Sequence, residues 1–212
     1  MKHLFYILTL LITVVACKPT KIACVGDSIT YGATIQGRDS LGYPQQMQKM
    51  LGKKYQVKNF GVNGATMLKK GDKPYWDEPQ YKEALQFNPD IVIITLGTND
   101  SKPFNWDKYK VEFKKNYLEM ISNFQNLKSK PQIYIGVPPP VIKDKWGIRR
   151  EIVEDEIPEI LNEIAKEKNV KFIDYYSILS GSKALFPDGI HPNADGARRM
   201  AIIAVSRILT TY

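Results

Sequence analysis

The sequence predicts an α/β protein with one main domain. Its architecture is a three-layer α/β/α sandwich around a mostly parallel five-stranded sheet. Three observations predict it. Short apolar, β-branched runs alternate along the chain with amphipathic stretches of helical period. The clearest run, Asp90-Ile-Val-Ile-Ile-Thr-Leu96, is apolar throughout, as a strand covered on both faces must be. The 212 residues are 43% hydrophobic and 25% charged, an ordinary globular balance. That balance excludes wholesale disorder, a collagen-like repeat and a multi-span membrane protein.

The first residues read differently from the rest. Met1-Lys2-His3 is a short basic start, and Leu4 to Ala16 is an apolar run. The run has the length of a signal-peptide core and is too short to span a bilayer, which takes roughly 20 apolar residues. It ends Val14-Val15-Ala16-Cys17, which resembles a bacterial lipoprotein signal, where cleavage precedes a Cys that is then lipidated. An ordinary secretory signal or a membrane anchor is the alternative. Residues 1–16 are thus read as a signal peptide, 17–20 as a lipidated linker and 21–212 as the folded domain. The expected location is the cell envelope, periplasmic or outer-surface, with Cys17 as the only membrane attachment. With Cys17 lipidated, Cys24 has no disulfide partner; it lies in an apolar run and reads as a small buried hydrophobe.

Each later element has its own signal. Lys21 to Gly26 reads as a short buried strand. Gly42 to Leu51 reads as a helix with Pro44 in its first turn and Gly52 ending it. Tyr55 to Phe60 alternates as a strand does, and Gln80 to Phe87 reads as helical. The Asp90–Leu96 strand is closed off by Pro89 and Gly97. Trp106 to Leu127 is a long amphipathic helix with Phe113, Tyr117, Met120 or Ile121, and Phe124 on one face. Gln132 to Val137 is a strand stopped by Pro138-Pro139-Pro140. Arg149 to Lys168 reads as a helix bent at Pro158, Val170 to Ile173 as a fifth strand and Asn193 to Leu209 as a closing helix. Strands separated by helices imply right-handed crossovers, a parallel sheet and a flavodoxin-like arrangement.

The formal net charge is +8, from scattered Lys and Arg. The richest stretch, Lys108 to Lys130, matches no nucleic-acid-binding module, and no nucleic-acid partner is expected.

In open parallel sheets, sites form at the carboxyl ends of the strands. Those ends carry Gly26-Asp27-Ser28-Ile29-Thr30, Gly61-Val62-Asn63-Gly64-Ala65-Thr66 and Gly97-Thr98-Asn99-Asp100. Pro187-Asp188-Gly189-Ile190-His191-Pro192 precedes the last helix. These are the parts of nucleophilic acyl transfer. A serine hydroxyl is a poor nucleophile until a base takes its proton. His3 lies in the signal segment, which leaves His191 as that base. His191 must be neutral to act, so activity falls in acid. Asp188, three residues earlier, can curl back to fix the ring. The Asn99 amide and the backbone N–H groups of Gly64 and Ser28 can receive the oxyanion. Taken singly, each piece also has a plain reading as a turn, a helix cap or a structural histidine.

Together these motifs resemble the SGNH hydrolases of the GDSL esterase/lipase superfamily. Gly26-Asp-Ser-Ile29 is similar to the family's first block, with Ile where the family name has Leu. Gly64 falls in the second block, Asn99 in the third, and Asp188-Gly-Ile-His191-Pro192 in the last. The resemblance runs from about Lys21 to Leu209. It implies a serine esterase with Ser28, Asp188 and His191 as triad and Ser28, Gly64 and Asn99 as oxyanion hole. The Gly-x-Ser-x-Gly elbow of α/β-hydrolases is absent.

Substrate is less sharply defined. Asn59 to Trp76 resembles the same region of bacterial sialate O-acetylesterase-like and xylan acetylesterase-like members. That implies removal of O-acetyl groups from an acylated small molecule or glycan. Tyr75, Trp76, Trp106 and Trp146 either offer stacking faces for a sugar or pack in the core. Asp27, Trp76 and Trp146 are the candidate substrate contacts. A lysophospholipase or thioesterase is the alternative, with Pro138 to Trp146 either lining an acyl groove or forming a rim loop. An inactivated glycan-binding module is a third reading, against which every catalytic member is present. No cofactor is expected, and no metal: one histidine remains, already employed, and Glu151, Glu154, Asp155 and Glu156 suit a helix start.

Overall fold

The structure, a computed structural model, describes residues 18–210. The signal segment and Cys17 lie outside the described residues. Five strands form one sheet: β1 (Thr20–Gly26), β2 (Tyr55–Gly61), β3 (Ile91–Thr95), β4 (Gln132–Val137) and β5 (Lys171–Asp174). Their order is β2-β1-β3-β4-β5, and every neighbouring pair is parallel.

The alternation of side chains along each strand builds two cores. Ala23 and Val25 of β1 and Val92 and Ile94 of β3 face one side, under α4 (Pro79–Phe87), α5 (Pro103–Gln125) and α6 (Ile157–Lys168). The apolar face expected on α5 is there: Phe113, Tyr117, Met120, Ile121 and Phe124 are all fully buried. Ile22 and Cys24 of β1 and Ile91 and Ile93 of β3 face the other side. That side is covered by α3 (Tyr43–Leu51), α7 (Tyr175–Leu179) and α8 (Ala194–Leu209). Cys24 is fully buried, and burial pushes its thiol up to about 12, so it is chemically inert.

Three short helices were not legible in the sequence: α1 (Ser28–Tyr31), α2 (Arg38–Leu41) and α7. Each is five residues or fewer, too short to display a period. The helix expected to bend at Pro158 instead opens with a π-helical stretch, Ile152–Glu156, in which Ile157 N–H donates to Ile152 O. Pro158 has no N–H to give, so a wider turn before it costs one bond fewer.

The chain runs from β1 to one edge and then crosses back to β3, so the carboxyl ends of β1 and β3 flank the crevice where strand order reverses. Ser28 follows β1 and Asn99 follows β3. The fold thereby brings together residues 71 positions apart in the chain.

Candidate active site

Ser28 opens α1. Asp27 caps that helix, its Oδ1 accepting the Ile29 N–H at 2.9 Å. Close approach of the strands to this turn requires glycine: a Cβ on Gly61 would run into the backbone of Tyr31, and one on Gly26 into Thr30 and the Thr95 carbonyl.

The loop before α8 is built by one carboxylate. Asp188 Oδ1 accepts the backbone N–H of Ile190 at 2.9 Å and of His191 at 2.8 Å. Its other oxygen, Oδ2, accepts the His191 Nδ1–H at 2.7 Å. The turn and the ring orientation therefore share a single anchor. With Nδ1 carrying its proton to Asp188, Nε2 presents a lone pair, and the Ser28 hydroxyl donates to it at 2.9 Å. Burial alone would raise the Asp188 carboxyl, but the bonds from His191 and Ile190 outweigh it and hold it below the ordinary carboxylate value. Asn193 fixes the far end of the loop, its Oδ1 accepting the N–H groups of Asp195 and Gly196 at the start of α8.

Gly64 has φ +77°, a left-handed conformation that glycine adopts without strain. The irregular loop after it is gripped by side chains. Asn99 Nδ2 donates to Ala65 O at 3.2 Å. Asp100 accepts Met67 N–H at 3.0 Å and Leu68 N–H at 2.7 Å. Asn116 accepts Lys69 N–H, and Asn105 accepts Asp72 N–H, both at 2.9 Å. A buried loop without a strand partner must find its bonds elsewhere, and here four side chains following β3 supply them. Gly64 and Asn99 are thus parts of one rigid assembly. Among the described residues, neither the Ser28 nor the Gly64 N–H is taken up by another group. The second N–H of the Asn99 amide is also left for a ligand, since Ala65 O takes only one.

Ser28, Gly64, Asn99 and His191 line one cleft of about 300 Å³, with Ala33, Asn63, Lys102, Trp146 and Ile148. Lys102 is paired with Asp72 at 3.0 Å. Trp146 is 55% exposed, and its ring lies 5.6 Å from that of His191. It holds a left-handed φ of +55°, strained for a bulky residue by about 1–2 kcal/mol. Bonds on both sides brace it: Arg149 N–H to Ser101 Oγ at 3.1 Å, and Ile142 N–H to Gly189 O at 2.8 Å.

The other substrate candidates sit elsewhere. Trp76 does not line the cleft. Its indole N–H donates to Met67 O at 2.8 Å and its ring packs on Tyr81. Tyr75 and Trp106 are buried in the core. Asp27 is buried beneath Ser28 rather than open to the cleft. The segment after the three prolines forms a packed rim, Val141 joining Ile148, Val153 and Ile190 in a small cluster. Sequence reading missed the Asp100 clamp and Lys102, although both flank Asn99 closely. Asn105 and Asn116 gave no signal, because polar residues on a helix ordinarily read as its solvent face. No group of His, Cys, Asp or Glu arranged to hold a metal occurs among the described residues.

The profile of the GDSL-like lipase/acylhydrolase family matches residues 24–199. The chain belongs to that family. An acetylxylan esterase from Xylanibacter ruminicola is 42% identical over 206 residues, spanning 89% of this chain and 43% of that protein. A multidomain esterase from Ruminococcus flavefaciens is 27% identical over 217 residues, spanning 85% of this chain and 27% of that protein. The chain therefore spans less than half the length of either relative. Among solved structures, the M. smegmatis aryl esterase superposes with TM-score 0.73 at 18% identity, covering 91% of this chain and 100% of that one. Est24, a carbohydrate acetylesterase from Sinorhizobium meliloti, superposes with TM-score 0.74 at 19% identity, with the same coverage. At these identities the two structures establish a shared fold.

Proposed function

We propose that the chain is a carboxylic ester hydrolase that removes O-acetyl groups from carbohydrate. The observation that carries the reading is the continuous relay from Asp188 through His191 to Ser28, at 2.7 and 2.9 Å, opening on a cleft with oxyanion donors in place.

In the reaction, Ser28 Oγ attacks the ester carbonyl carbon as its proton passes to His191 Nε2. Asp188 stabilises the resulting imidazolium. The carbonyl oxygen, now negative, receives hydrogen bonds from Ser28 N–H, Gly64 N–H and Asn99 Nδ2. The C–O bond to the sugar breaks, and His191 returns the proton to the departing hydroxyl. The acetyl group is left on Ser28. Water, deprotonated by the same imidazole, then attacks the acyl-enzyme, and acetate leaves with Ser28 restored.

The carbohydrate part of the reading draws on the acetylxylan esterase similarity and on Trp146. An exposed indole fixed at the mouth of a small cleft suits a sugar ring better than a flexible chain. Among the described residues Pro138–Val141 is buried, Val141 packing on Ile148, Val153 and Ile190, and it does not line the Ser28 cleft. An acyl-length series of aryl esters, with Ser28→Ala as the blank, tests the reading. Acetate is expected to turn over fastest, with acetylated xylan and acetylated sialic acid as the next substrates. A maximum at long chains would move the assignment to a lysophospholipase or thioesterase. Export to the cell envelope with lipid on Cys17 belongs to the same proposal, supported by the Leu4–Ala16 run and the Cys that follows it.

A further inference from the structure

The face opposite the cleft carries an unusual charge. Because all five strands are parallel, their amino ends and the loops that feed them lie together at that end. The connectors there are residues 18–19, 52–54, 88–90, 126–131 and 169–170. They contain Lys18, Lys53, Lys54, Lys128 and Lys130, all exposed, against the single acid Asp90. Asp90 already accepts the Lys21 N–H at 2.8 Å. None of the five lysines enters an ion pair or a side-chain hydrogen bond among the described residues. Lys18 and Lys54 border one hollow, and Lys18, Asn88 and Asp90 border the next, while Asn88 Oδ1 accepts the Ser129 N–H, which joins the loop of Lys128 and Lys130 to the same face. Near the cleft, Lys102 is paired with Asp72, Lys73 with Glu78 and Arg149 with Asp107, and Lys145 lies over the Trp146 ring.

Clustered lysines left unpaired repel one another and weaken the fold slightly, so an external anion that spans them is favoured. The lysines come from three separate connectors rather than from the walls of one groove, which suits an extended polyanion. The chain also enters the fold at this face, through Lys18, directly after the apolar run Leu4–Ala16 and Cys17. We propose that this lysine face docks on an anionic lipid surface. Docking holds the cleft away from the membrane by at least the length of β1, about 20 Å for its 7 residues. In that orientation Ser28 faces polymers beyond the bilayer rather than the acyl chains within it.

Each lysine near an anionic bilayer strengthens attachment by about fivefold, and salt screens the effect. The test uses the full chain on vesicles of phosphatidylcholine alone or mixed with phosphatidylglycerol. Lysines are acetylated with acetic anhydride and read by mass spectrometry. Lys53, Lys54, Lys128 and Lys130 are expected to label several-fold less on the anionic vesicles, with the difference lost at high salt. Lys145, beside Trp146 at the cleft mouth, is expected to label equally on both. Changing the four to Lys53→Glu, Lys54→Glu, Lys128→Glu and Lys130→Glu is expected to remove the protection that Lys18 shows on the anionic vesicles in the wild-type chain, while aryl acetate turnover stays at the wild-type level. Equal labelling on the two vesicle types, or no association with anionic vesicles at low salt, overturns the proposal. Protection by duplex DNA but not by vesicles overturns it in favour of nucleic acid. The readout is labelling rather than turnover, so it stands or falls apart from the esterase reading.

Discussion

At the residue scale, the site is economical. One carboxylate, Asp188, both folds its loop and orients His191, so the imidazole cannot be misplaced without unmaking the turn. Asn99 works in two directions, holding Ala65 O with one N–H and facing the cleft with the other. Asn99→Ala is expected to lower kcat by about a hundredfold or more with little change in KM, since the oxyanion forms only in the transition state. Steady-state kinetics on an aryl acetate checks this, and an unchanged kcat would put the oxyanion donors elsewhere. The meeting of Ser28, Asn99 and His191 at one cleft, with Asp188 behind the imidazole, was legible in the sequence because Ser28 and Asn99 follow strand ends and the Asp188–His191 loop precedes the last helix. Trp76 and Trp106 were ambiguous for the opposite reason. A tryptophan is large, apolar and carries one N–H, so core and sugar platform ask for the same residue. Only the structure separates them: Trp76 and Trp106 find acceptors at Met67 O and Glu156, while Trp146 stands at the cleft mouth.

At the scale of elements, long periodic segments were readable and short or aperiodic ones were not. β3 and α5 announce themselves through an unbroken apolar run and a repeated apolar face. α1 and α7 are fixed by the carboxylate caps Asp27 and Asp174, α2 has no side-chain cap, and none of the three is long enough to leave a period to read. The loop from Gly64 to Asp72 is the sharpest case. Its conformation is dictated by Asn99, Asp100, Asn105 and Asn116, which are distant in sequence. Asp100 is a positioning residue on this account, acting on the oxyanion hole through the backbone of Met67 and Leu68. Asp100→Asn sets an amide N–H₂ where an acceptor is needed. It is expected to cut kcat by roughly tenfold to a hundredfold, the cost of a displacement of about an ångström, while KM holds. A fall in melting temperature with kcat intact would reduce Asp100 to a purely structural role.

At the scale of the whole molecule, two buried carboxylates lie under the cleft. Burial pushes Asp27 up to about 6 and Asp100 up to about 7, and their mutual repulsion adds to the rise for Asp100. Both values exceed the ordinary 3.8. The folded chain therefore holds protons that the unfolded chain has released, and stability falls as pH rises from about 4 to 7. Asp188 acts with the opposite sign: its lowered carboxyl contributes stability above the ordinary value, and that is lost as pH falls through its folded value. Melting temperatures across this range are expected to peak in mild acid and decline toward neutrality. Asp27→Asn should flatten the decline, and a decline of wild-type steepness in that variant would assign it to other groups.

The central claim, that Ser28 drives deacetylation of carbohydrate, is tested most directly by measuring acetate released from acetylated xylan by the wild-type chain and by Ser28→Ala. The account predicts release by the wild type and none above background by the variant, with both chains melting alike. Equal release by the two, or none by either while aryl acetate is still cleaved, would contradict it.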